Sequence, residues 1–407
     1  GGFHYWDGQI ELAERLCVEL ALDAKTNGAI IRTHSRVESP VLSGKKLTGV
    51  TYKDLITGEV HTAHAPVVYN VAGPWIDRVF TQSAKLPSQP RLNGGTKGSH
   101  LIVNAFPGAP KEVVYYETRT DGRLILVIPW LGKYMLGTTD IRWEKDPGEA
   151  RCDIGELEYL LSEVNALIPQ AKLTIKDVLY TYSGVRPLPY EPEKNESAVT
   201  RTHILFDHKS NGADGLVTVV GGKLTTFRQL SEDAVTDLNK RFKRKNSKSL
   251  TRNRKLPGAQ FYDFNVLVLD LINQGASEIT AQRLAQIYGS RALEIWKIVE
   301  LDKSSSEMIE ASIGLTRAEV EYVLDQEFPK TLADLMARRL VLAFESGHGL
   351  NVVQRIAEIA AGKLGWSAAE IALQIDGYKT WLDHLAIPDE KGPRSTHFGA
   401  KLVSESK

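Results

Sequence analysis

The sequence predicts an α/β (α+β) domain followed by an all-α domain, and three observations lead to this fold class. An apolar, β-branched run from Leu216 to Val220 precedes Gly221-Gly222 and a helical pattern, which is typical of a buried strand, a tight turn and a helix. Short alternating segments between residues 36 and 63 predict a β-meander. From residue 257 onward, apolar residues recur at helical spacing.

The first domain is predicted to cover residues 1–245. A helix over residues 8–27 ends at Asn27-Gly28 and leads into a strand over Ala29–Thr33. The other strand candidates are Arg36–Leu42, Leu47–Asp54, Glu59–Ala63, Val67–Gly73, Ser99–Val103, Val113–Glu117, Leu124–Ile128, Tyr134–Thr138, Val178–Ser183 and Ser197–Phe206. The other helix candidates are Ile154–Leu167 and a helix from Thr225 to about Phe242.

A basic linker over residues 246–256 is predicted to separate this domain from a helical domain over residues 257–386, with a polar tail over 387–407. The helix candidates are Glu278–Tyr288, Arg291–Glu300, Arg317–Gln326, Leu332–Glu345, Val352–Gly362 and Ala368–Ala386. Residues 240–255 contain nine lysines or arginines and no acid. Such a segment is either a solvated linker or a patch for anionic lipid headgroups, which attract about 1 kcal/mol per basic residue.

The composition excludes several functional classes. Of 407 residues, 42% are hydrophobic and 25% are charged, which is typical of soluble globular proteins. The net charge is zero and gives no basis for a nucleic-acid partner. The two cysteines form no CxxC pair, so we expect neither a disulfide framework nor a metal site, and a reducing, cytoplasmic location fits. No apolar run is long enough to span a membrane.

The turn at Gly221-Gly222 is the strongest local indication of a binding site. Glycines allow a ligand to approach the main chain, and the amides at a helix N-terminus attract anions or polar rings. Thr225 or Thr226 is expected to cap the following helix with its side-chain oxygen. An ordinary strand-to-helix turn is the alternative interpretation, because a double glycine alone is a weak signal.

Six motifs in order connect the sequence to a family. They are Val71–Trp75, Lys97–His100, Ile128–Trp130, Gly137–Asp140, Tyr182–Leu188 and Gly221–Arg228. In this order and spacing they resemble the FAD-dependent glycerol-3-phosphate dehydrogenases of the aerobic type, and the helical region resembles the C-terminal cap domain of the same enzymes. The resemblance implies an FAD and substrate domain of the glutathione-reductase/D-amino-acid-oxidase-like type. It also implies oxidation of sn-glycerol 3-phosphate to dihydroxyacetone phosphate, with electrons passing to quinone.

The chain departs from the family pattern at its N-terminus. The family begins with a dinucleotide-binding βαβ unit that carries a G-x-G-x-x-G fingerprint, and this sequence has no such fingerprint. We therefore expect a fragment that lacks its first βαβ unit and that, alone, binds FAD weakly and is inactive.

The resemblance assigns catalytic and substrate-binding roles to a few side chains. Arg186 is expected to hold the substrate phosphate, because a guanidinium group offers a planar fork that matches phosphate oxygens. Arg201 is a candidate second clamp, and an exposed arginine at a sheet edge is the alternative. Lys223 is expected to reach the substrate or the flavin. His100 is the candidate base, although a histidine that only packs against the cofactor remains an alternative.

The resemblance also assigns residues to FAD. Val37 corresponds to the meander position next to the adenine, and Gly73 and Trp75 correspond to the strand end near the adenosine and pyrophosphate. The flavin end is expected at Gly222, Lys223, Leu224, Thr225 and Thr226. Asp140 lies near the expected substrate pocket, and it is either part of the site or a support for a neighbouring strand.

Alternatives within and outside this enzyme class stay open. An oxidase that uses oxygen directly would carry the same motifs. A non-catalytic remnant, or a lipid-surface interaction module built on residues 240–255, are alternatives from other classes. A homodimer and peripheral contact with the inner face of the cell membrane are further expectations from the resemblance.

Overall fold

A computed structural model of the chain describes residues 2–81, 89–194, 198–245, 248–261 and 263–389. In this part of the chain, the strands are β1 (Ser35–Ser43), β2 (Lys46–Asp54), β3 (Val60–His64), β4 (Val68–Asn70), β5 (Thr96–Val103), β6 (Val114–Glu117), β7 (Leu124–Trp130), β8 (Lys133–Gly137), β9 (Ile141–Arg142), β10 (Val178–Arg186), β11 (Ile204–Asp207), β12 (Leu216–Val220), β13 (Met308–Glu310) and β14 (Leu315–Thr316). The helices are α1 (Ala13–Thr26), α2 (Arg78–Thr81), α3 (Ile154–Leu167), α4 (Phe227–Arg241), α5 (Phe264–Asn273), α6 (Glu278–Tyr288), α7 (Ala292–Leu301), α8 (Arg317–Gln326), α9 (Val353–Leu364) and α10 (Ala368–Leu382).

The chain divides into two compact units. The sheet unit comprises Arg36–Ser247 and Asp383–Lys407, and the helical unit comprises Gly1–Ser35 and Lys248–Leu382. This division differs from the sequence-based one, which placed residues 1–35 in the first domain. The physical reason is a buried ion pair, because Arg15 of α1 donates two hydrogen bonds to the carboxylate of Glu327.

The largest sheet of the sheet unit is antiparallel and has six strands. Its strand order is β10-β5-β8-β7-β6, and β9 pairs with the end of β5. Helix α3 packs on one face, where Leu157, Leu160 and Val164 join the buried side chains of the strands in one core. Helix α3 begins where Asp153 and Glu156 form a reciprocal capping box. The predicted strands of this region and the helix Ile154–Leu167 are confirmed.

A second sheet of the sheet unit has the order β11-β12-β4. Every residue of β12 is buried, as its apolar sequence predicted. Strand β11 runs antiparallel to β12, whereas β4 runs parallel to it. Strand β11 begins at Ile204, so the predicted strand from Ser197 is shorter than expected, and residue 197 lies outside the described residues.

The meander forms a separate three-stranded sheet, β1-β2-β3, and its predicted strands are confirmed. The preceding prediction of a strand over Ala29–Thr33 is wrong. These residues have no regular structure and are mostly exposed, with Ile30 85% exposed. An apolar pattern forms a strand only where a neighbouring strand accepts its hydrogen bonds, and the described residues provide none here.

In the helical unit, most predicted helices are present. The prediction for Leu332–Glu345 is wrong in type, because this region forms a wide helical turn over Asp334–Arg339 and a tight one over Leu342–Phe344. Val341 lies between them with φ of +61°, which breaks the helix. Helix α5 was not predicted. No helix in the described ranges combines the length and the apolar character that crossing a membrane needs.

Candidate functional site

Two turns of the sheet unit meet at one edge of the second sheet. Strand β4 leads into the turn Gly73–Trp75, and strand β12 leads into Gly221-Gly222. The two strands are parallel neighbours, and Asn70 lies opposite Thr218. Their carboxyl ends therefore point to the same edge, where open α/β sheets bind their ligands.

Asn70 shapes the first of these turns, and the sequence analysis missed it. Its side-chain amide donates to Ile76 O at 2.9 Å and its Oδ1 accepts from Ala72 N at 3.2 Å. The side chain thus replaces the ladder hydrogen bonds that end with β4. An asparagine at the end of an apolar strand is a signal that could have indicated this turn.

The Gly221-Gly222 turn needs both of its glycines. Their φ angles are +74° and +91°, a region that side chains with a Cβ rarely adopt. A Cβ on Gly221 would also lie 3.0 Å from Thr202 O, and a Cβ on Gly222 would lie 3.1 Å from Leu230 Cδ1. The turn is therefore packed tightly against the chain behind it and leaves its other side to a ligand.

The expected cap of the following helix is wrong. Leu224–Thr226 forms a tight turn before α4, and the Thr226 hydroxyl donates to Lys223 O at 3.0 Å instead of capping α4. No side chain of the described residues caps the first turn of α4. The tight turn runs directly into α4, and Phe227 N donates to Leu224 O, so the positive end of the helix dipole lies at Leu224–Thr226.

His100 lies on the face of β5 opposite α3. A Cβ on Gly137 of the neighbouring β8 would lie 2.6 Å from His100 Cδ2, so this glycine makes room for the ring. His100 Nδ1 is buried and has no hydrogen-bond partner among the residues that the structure describes. Burial, and then the positive charge of Arg186, lower the pKa of His100 to about 4. The ring is therefore neutral at neutral pH.

Arg186 lies across the same face of β5, above Gly98. A Cβ at this glycine would lie 2.3 Å from Arg186 Nη2, so only glycine leaves room for the guanidinium group. Arg186 Nη1 donates to Asp140 Oδ1 at 3.1 Å, and Nη2 donates to Thr138 Oγ1 at 3.1 Å and to Thr139 O at 3.2 Å. Both terminal nitrogens of the guanidinium group are thus held, and the side chain remains 25% exposed.

Two further arginines meet at Asp140. Arg201 Nη2 lies 3.6 Å from Asp140 Oδ2, and its side chain is 44% exposed. Arg123, which the sequence analysis missed, donates to Asp140 O and lies 3.2 Å from the carboxylate of Asp121. We call Arg123, Arg186 and Arg201 around Asp140 the arginine cluster. The pKa of Arg186 is lowered, mainly because the side chain is buried. The charge of Asp140 raises this pKa, whereas the charges of Arg201 and Arg123 lower it.

The structure therefore brings several predicted residues together. Arg186 and Arg201 share Asp140, and His100 is two residues from Gly98 on one face of β5. Arg201 precedes Thr202, whose carbonyl packs on Gly221, so the cluster is continuous with the glycine turn. Asp140 holds arginines rather than only a neighbouring strand.

The remaining candidates lie at the surface, and their roles stay predictions. Lys223, Leu224, Thr225 and Thr226 are all exposed. Val37 on β1 is 38% exposed. Gly73 begins the turn after β4, where a Cβ would meet nothing within 4 Å, and the exposed Trp75 donates from Nε1 to Asp146 Oδ1 at 3.2 Å.

These features together fit a bound flavin at the glycine turn. The positive end of the helix dipole at Leu224–Thr226 suits the electron-rich edge of a polar ring, and the two glycines allow close approach. The orphaned Nδ1 of His100 requires a partner that the described residues do not supply.

Comparison with known families agrees with this geometry. Residues 1–228 match the family described as FAD dependent oxidoreductase, and residues 249–371 match the family described as the C-terminal domain of alpha-glycerophosphate oxidase. Because the first match covers more than half of the chain, the protein belongs to the FAD-dependent oxidoreductases.

Similar proteins identify the branch of this family to which the chain belongs. A glycerol-3-phosphate dehydrogenase from Synechocystis is 35% identical over 399 residues, which cover 96% of this chain and 72% of that protein. An aerobic glycerol-3-phosphate dehydrogenase from Staphylococcus saprophyticus is 29% identical, covering 91% and 67%. The solved glycerol-3-phosphate dehydrogenase of Bacillus halodurans, complexed with FAD, aligns with a TM-score of 0.79 at 26% identity, covering 93% of this chain and 74% of that one. The chain is a member of the glycerol-3-phosphate dehydrogenase family, which confirms the predicted resemblance.

Proposed function

We propose that the protein oxidises sn-glycerol 3-phosphate at C2 and forms dihydroxyacetone phosphate. The observation that carries this proposal is the half-open arginine cluster, which lies on the same face of β5 as the neutral, partner-free Nδ1 of His100. A cationic site beside a base matches a substrate that has a phosphate group next to a secondary alcohol.

The arginine cluster binds the phosphate group of the substrate. Asp140 and the Thr138 hydroxyl orient the two terminal nitrogens of Arg186, and the exposed part of the guanidinium group is available to phosphate oxygens. Arg201 supplies a second, more exposed guanidinium group, and Arg123 adds positive charge from behind. Because three guanidinium groups share the carboxylates of Asp140 and Asp121, the cluster carries excess positive charge that favours a dianion.

His100 acts as the base for the C2 hydroxyl proton. Its lowered pKa keeps the imidazole unprotonated at neutral pH, and Nδ1, which has no hydrogen-bond partner among the described residues, is the nitrogen that takes that proton in this proposal. Lys223, together with the N-terminus of α4, stabilises the negative charge that develops during the transfer. FAD, when bound, supplies the acceptor for the hydride equivalent that leaves C2.

Residues of the two turns at the edge of the second sheet, with one residue of the meander, hold the cofactor in this proposal. Gly222, Lys223, Leu224, Thr225 and Thr226 hold the flavin end. Gly73, Trp75 and Val37 contact the adenosine half.

Rapid mixing of the full-length, FAD-loaded enzyme with substrate, without oxygen, tests the proposal. We expect glycerol 3-phosphate to bleach the flavin absorbance, and glycerol at the same concentration to bleach it at least ~100-fold more slowly because it lacks the phosphate. Equal rates with the two compounds, or no bleaching by either, would contradict the proposed substrate.

We propose a quinone as the physiological electron acceptor. Direct use of oxygen is the second candidate, and it is favoured by the match of residues 249–371 to a domain of alpha-glycerophosphate oxidase. The two acceptors are distinguished by turnover with a soluble quinone analogue without oxygen and by hydrogen peroxide release in air. A large peroxide yield with no quinone reduction would assign the oxidase activity.

We also propose peripheral contact with anionic lipid through the basic residues after α4. Arg241 is paired with Asp237 and Asp207, and Arg254 is paired with Asp23, so these two arginines serve the fold. Lys243, Arg244 and Lys245 are exposed, and they form the proposed lipid contact together with the half-exposed ring of Phe242. Assembly as a homodimer stays a prediction, which the mass of the enzyme in solution would test.

A further inference from the structure

The residues that hold the arginine cluster lie on a segment without regular structure. Thr138–Asp140 connects the end of β8 with the start of β9 and belongs to neither strand. This short segment supplies the hydroxyl, the carbonyl and the carboxylate that accept hydrogen bonds from Arg186. A segment outside a strand ladder needs other hydrogen bonds to keep its position.

Those bonds come from a buried carboxylate below the sheet. Glu156, on α3, is fully buried. Its Oε1 accepts from Thr139 Oγ1 at 2.6 Å and from Ser99 Oγ at 2.9 Å. Thr139 Oγ1 in turn accepts from Ser99 N at 2.9 Å. The Thr139 side chain therefore ties the segment both to α3 and to β5.

Hydrogen bonds to the second oxygen of the Glu156 carboxylate fix the orientation of the whole group. Glu156 Oε2 lies 2.7 Å from Lys97 Nζ and accepts from Asp153 N at 3.0 Å. Lys97 is itself buried and also donates to Arg151 O at 2.8 Å. A carboxylate that is held by an ammonium group and a backbone amide has one orientation, so the atom that Thr139 contacts is fixed.

We propose that Glu156, acting through Thr139, is a positioning residue that sets the geometry of the phosphate-binding arginine cluster. Neither side chain touches the substrate: Glu156 orients Thr139, and the Thr138–Asp140 segment then orients Arg186 and Arg201. The inference rests on the proposed function, because it takes the arginine cluster as the phosphate site.

Thr139→Val tests the inference with the smallest change, since it keeps the shape and removes only the hydroxyl. We expect KM for glycerol 3-phosphate to rise about tenfold with kcat within about threefold, because the arginines shift while the base is untouched. Thr139→Ser restores the hydroxyl and should return KM to within about twofold of the parent enzyme.

Tyr116→Phe is the matched control. It removes a hydroxyl that donates at 3.1 Å to Glu163, a second buried carboxylate of the same helix. Tyr116→Phe is expected to lower the melting temperature about as much as Thr139→Val does, but to leave KM unchanged. If Thr139→Val behaves like this control, the network serves only stability and the inference is overturned.

Glu156→Gln tests the same network by changing the carboxylate that accepts the hydrogen bond from Thr139. The amide cannot accept from Lys97 and Asp153 while it accepts from Thr139 and Ser99, so the same rise in KM is expected. If both Thr139→Val and Glu156→Gln fail to fold, the network is required for the fold itself and the inference is also overturned.

Inorganic phosphate, measured as a direct ligand of the FAD-loaded enzyme, separates this inference from the proposed function. Weaker phosphate binding in both Arg186→Ala and Thr139→Val supports the positioning role even if glycerol 3-phosphate proves not to be the substrate. Weaker binding in Arg186→Ala alone overturns the inference and leaves the proposed function standing.

Discussion

A buried arginine–glutamate pair in the helical unit differs from the arginine cluster of the sheet unit in charge balance and exposure. In the helical unit, Arg283 donates to both oxygens of Glu319, at 2.8 and 3.0 Å, and both side chains are almost fully buried. In the sheet unit, Arg186 and Arg201 share the single carboxylate of Asp140 and keep 25% and 44% of their side chains exposed. The first pair is balanced and closed to water, whereas the second group has excess charge and an open side.

The difference separates structural charges from binding charges. A balanced, buried pair has no capacity left for a ligand, and removing one partner leaves an unpaired charge in the interior. An exposed group with more cations than anions has little stabilising value but attracts an anion. Arginine count alone would not have distinguished the two groups.

The largest effect is expected from breaking the buried pair. Glu319→Gln removes the charge that Arg283 and the Tyr288 hydroxyl contact, and it should lower the free energy of unfolding by about 3–5 kcal/mol. Chemical denaturation measures this change. Asp325→Asn is the control, because its ion pair with Lys363 is about half exposed and should contribute less than about 1 kcal/mol. Equal effects of the two substitutions would remove the basis of the comparison.

His100 should make stability depend on pH. Its pKa is lowered to about 4 in the folded protein and returns to 6.5 on unfolding, so the unfolded chain binds more protons between these values. Stability contributed by the neutral ring is complete above pH 6.5 and is lost as pH falls to 4, by up to about 3 kcal/mol. Unfolding of His100→Gln between pH 4 and 7 provides the reference, and parallel curves for the two proteins would contradict the shift.

Opening the arginine cluster should affect binding far more than stability. Arg186→Ala should raise KM for glycerol 3-phosphate ~100-fold or more, because the charge-assisted contact with the phosphate is lost. Arg186→Lys should recover only part of the loss, since an ammonium group has no fork. Arg142→Ala, on β9 of the same sheet, is the control and should leave KM within about threefold, because Arg142 donates to the carbonyls of Glu191 and Lys194. A change under about threefold for Arg186→Ala would assign it to the structural group.

The smallest effect is expected from removing the exposed basic side chains after α4, which have no acidic partner among the described residues and line no pocket there. Changing Lys243, Arg244 and Lys245 to Gln should weaken sedimentation of the FAD-loaded enzyme with anionic vesicles about tenfold, and added salt should do the same. A control variant with the exposed Lys45, Lys46 and Lys111 changed to Gln has the same net charge as the first variant. Equal binding by both variants would identify the segment as a solvated linker.

Much of the fold was readable because its signals are local. The apolar run of β12, the paired glycines after it and the helical pattern of α3 each depend on neighbours within a few residues. The motifs that contain His100 and Arg186 gave the main candidates for the same reason.

Several features of the site could not be read in this way. Arg123, Asn70 and Glu156 are ordinary residues in the sequence, and they matter only because of partners far along the chain. Thr226 was expected to cap α4 by position, but its hydroxyl bonds to Lys223 instead.

By itself, the sequence determined most elements of the sheet unit, the family resemblance and the candidates His100, Arg186 and Arg201, because residue type and short spacing specify these. Only the tertiary structure decided that α1 belongs to the helical unit, that Ala29–Thr33 is not a strand and that Glu156 lies beneath the arginine cluster. Such outcomes depend on which distant groups balance a charge or complete a hydrogen bond, and burial makes that balance decisive.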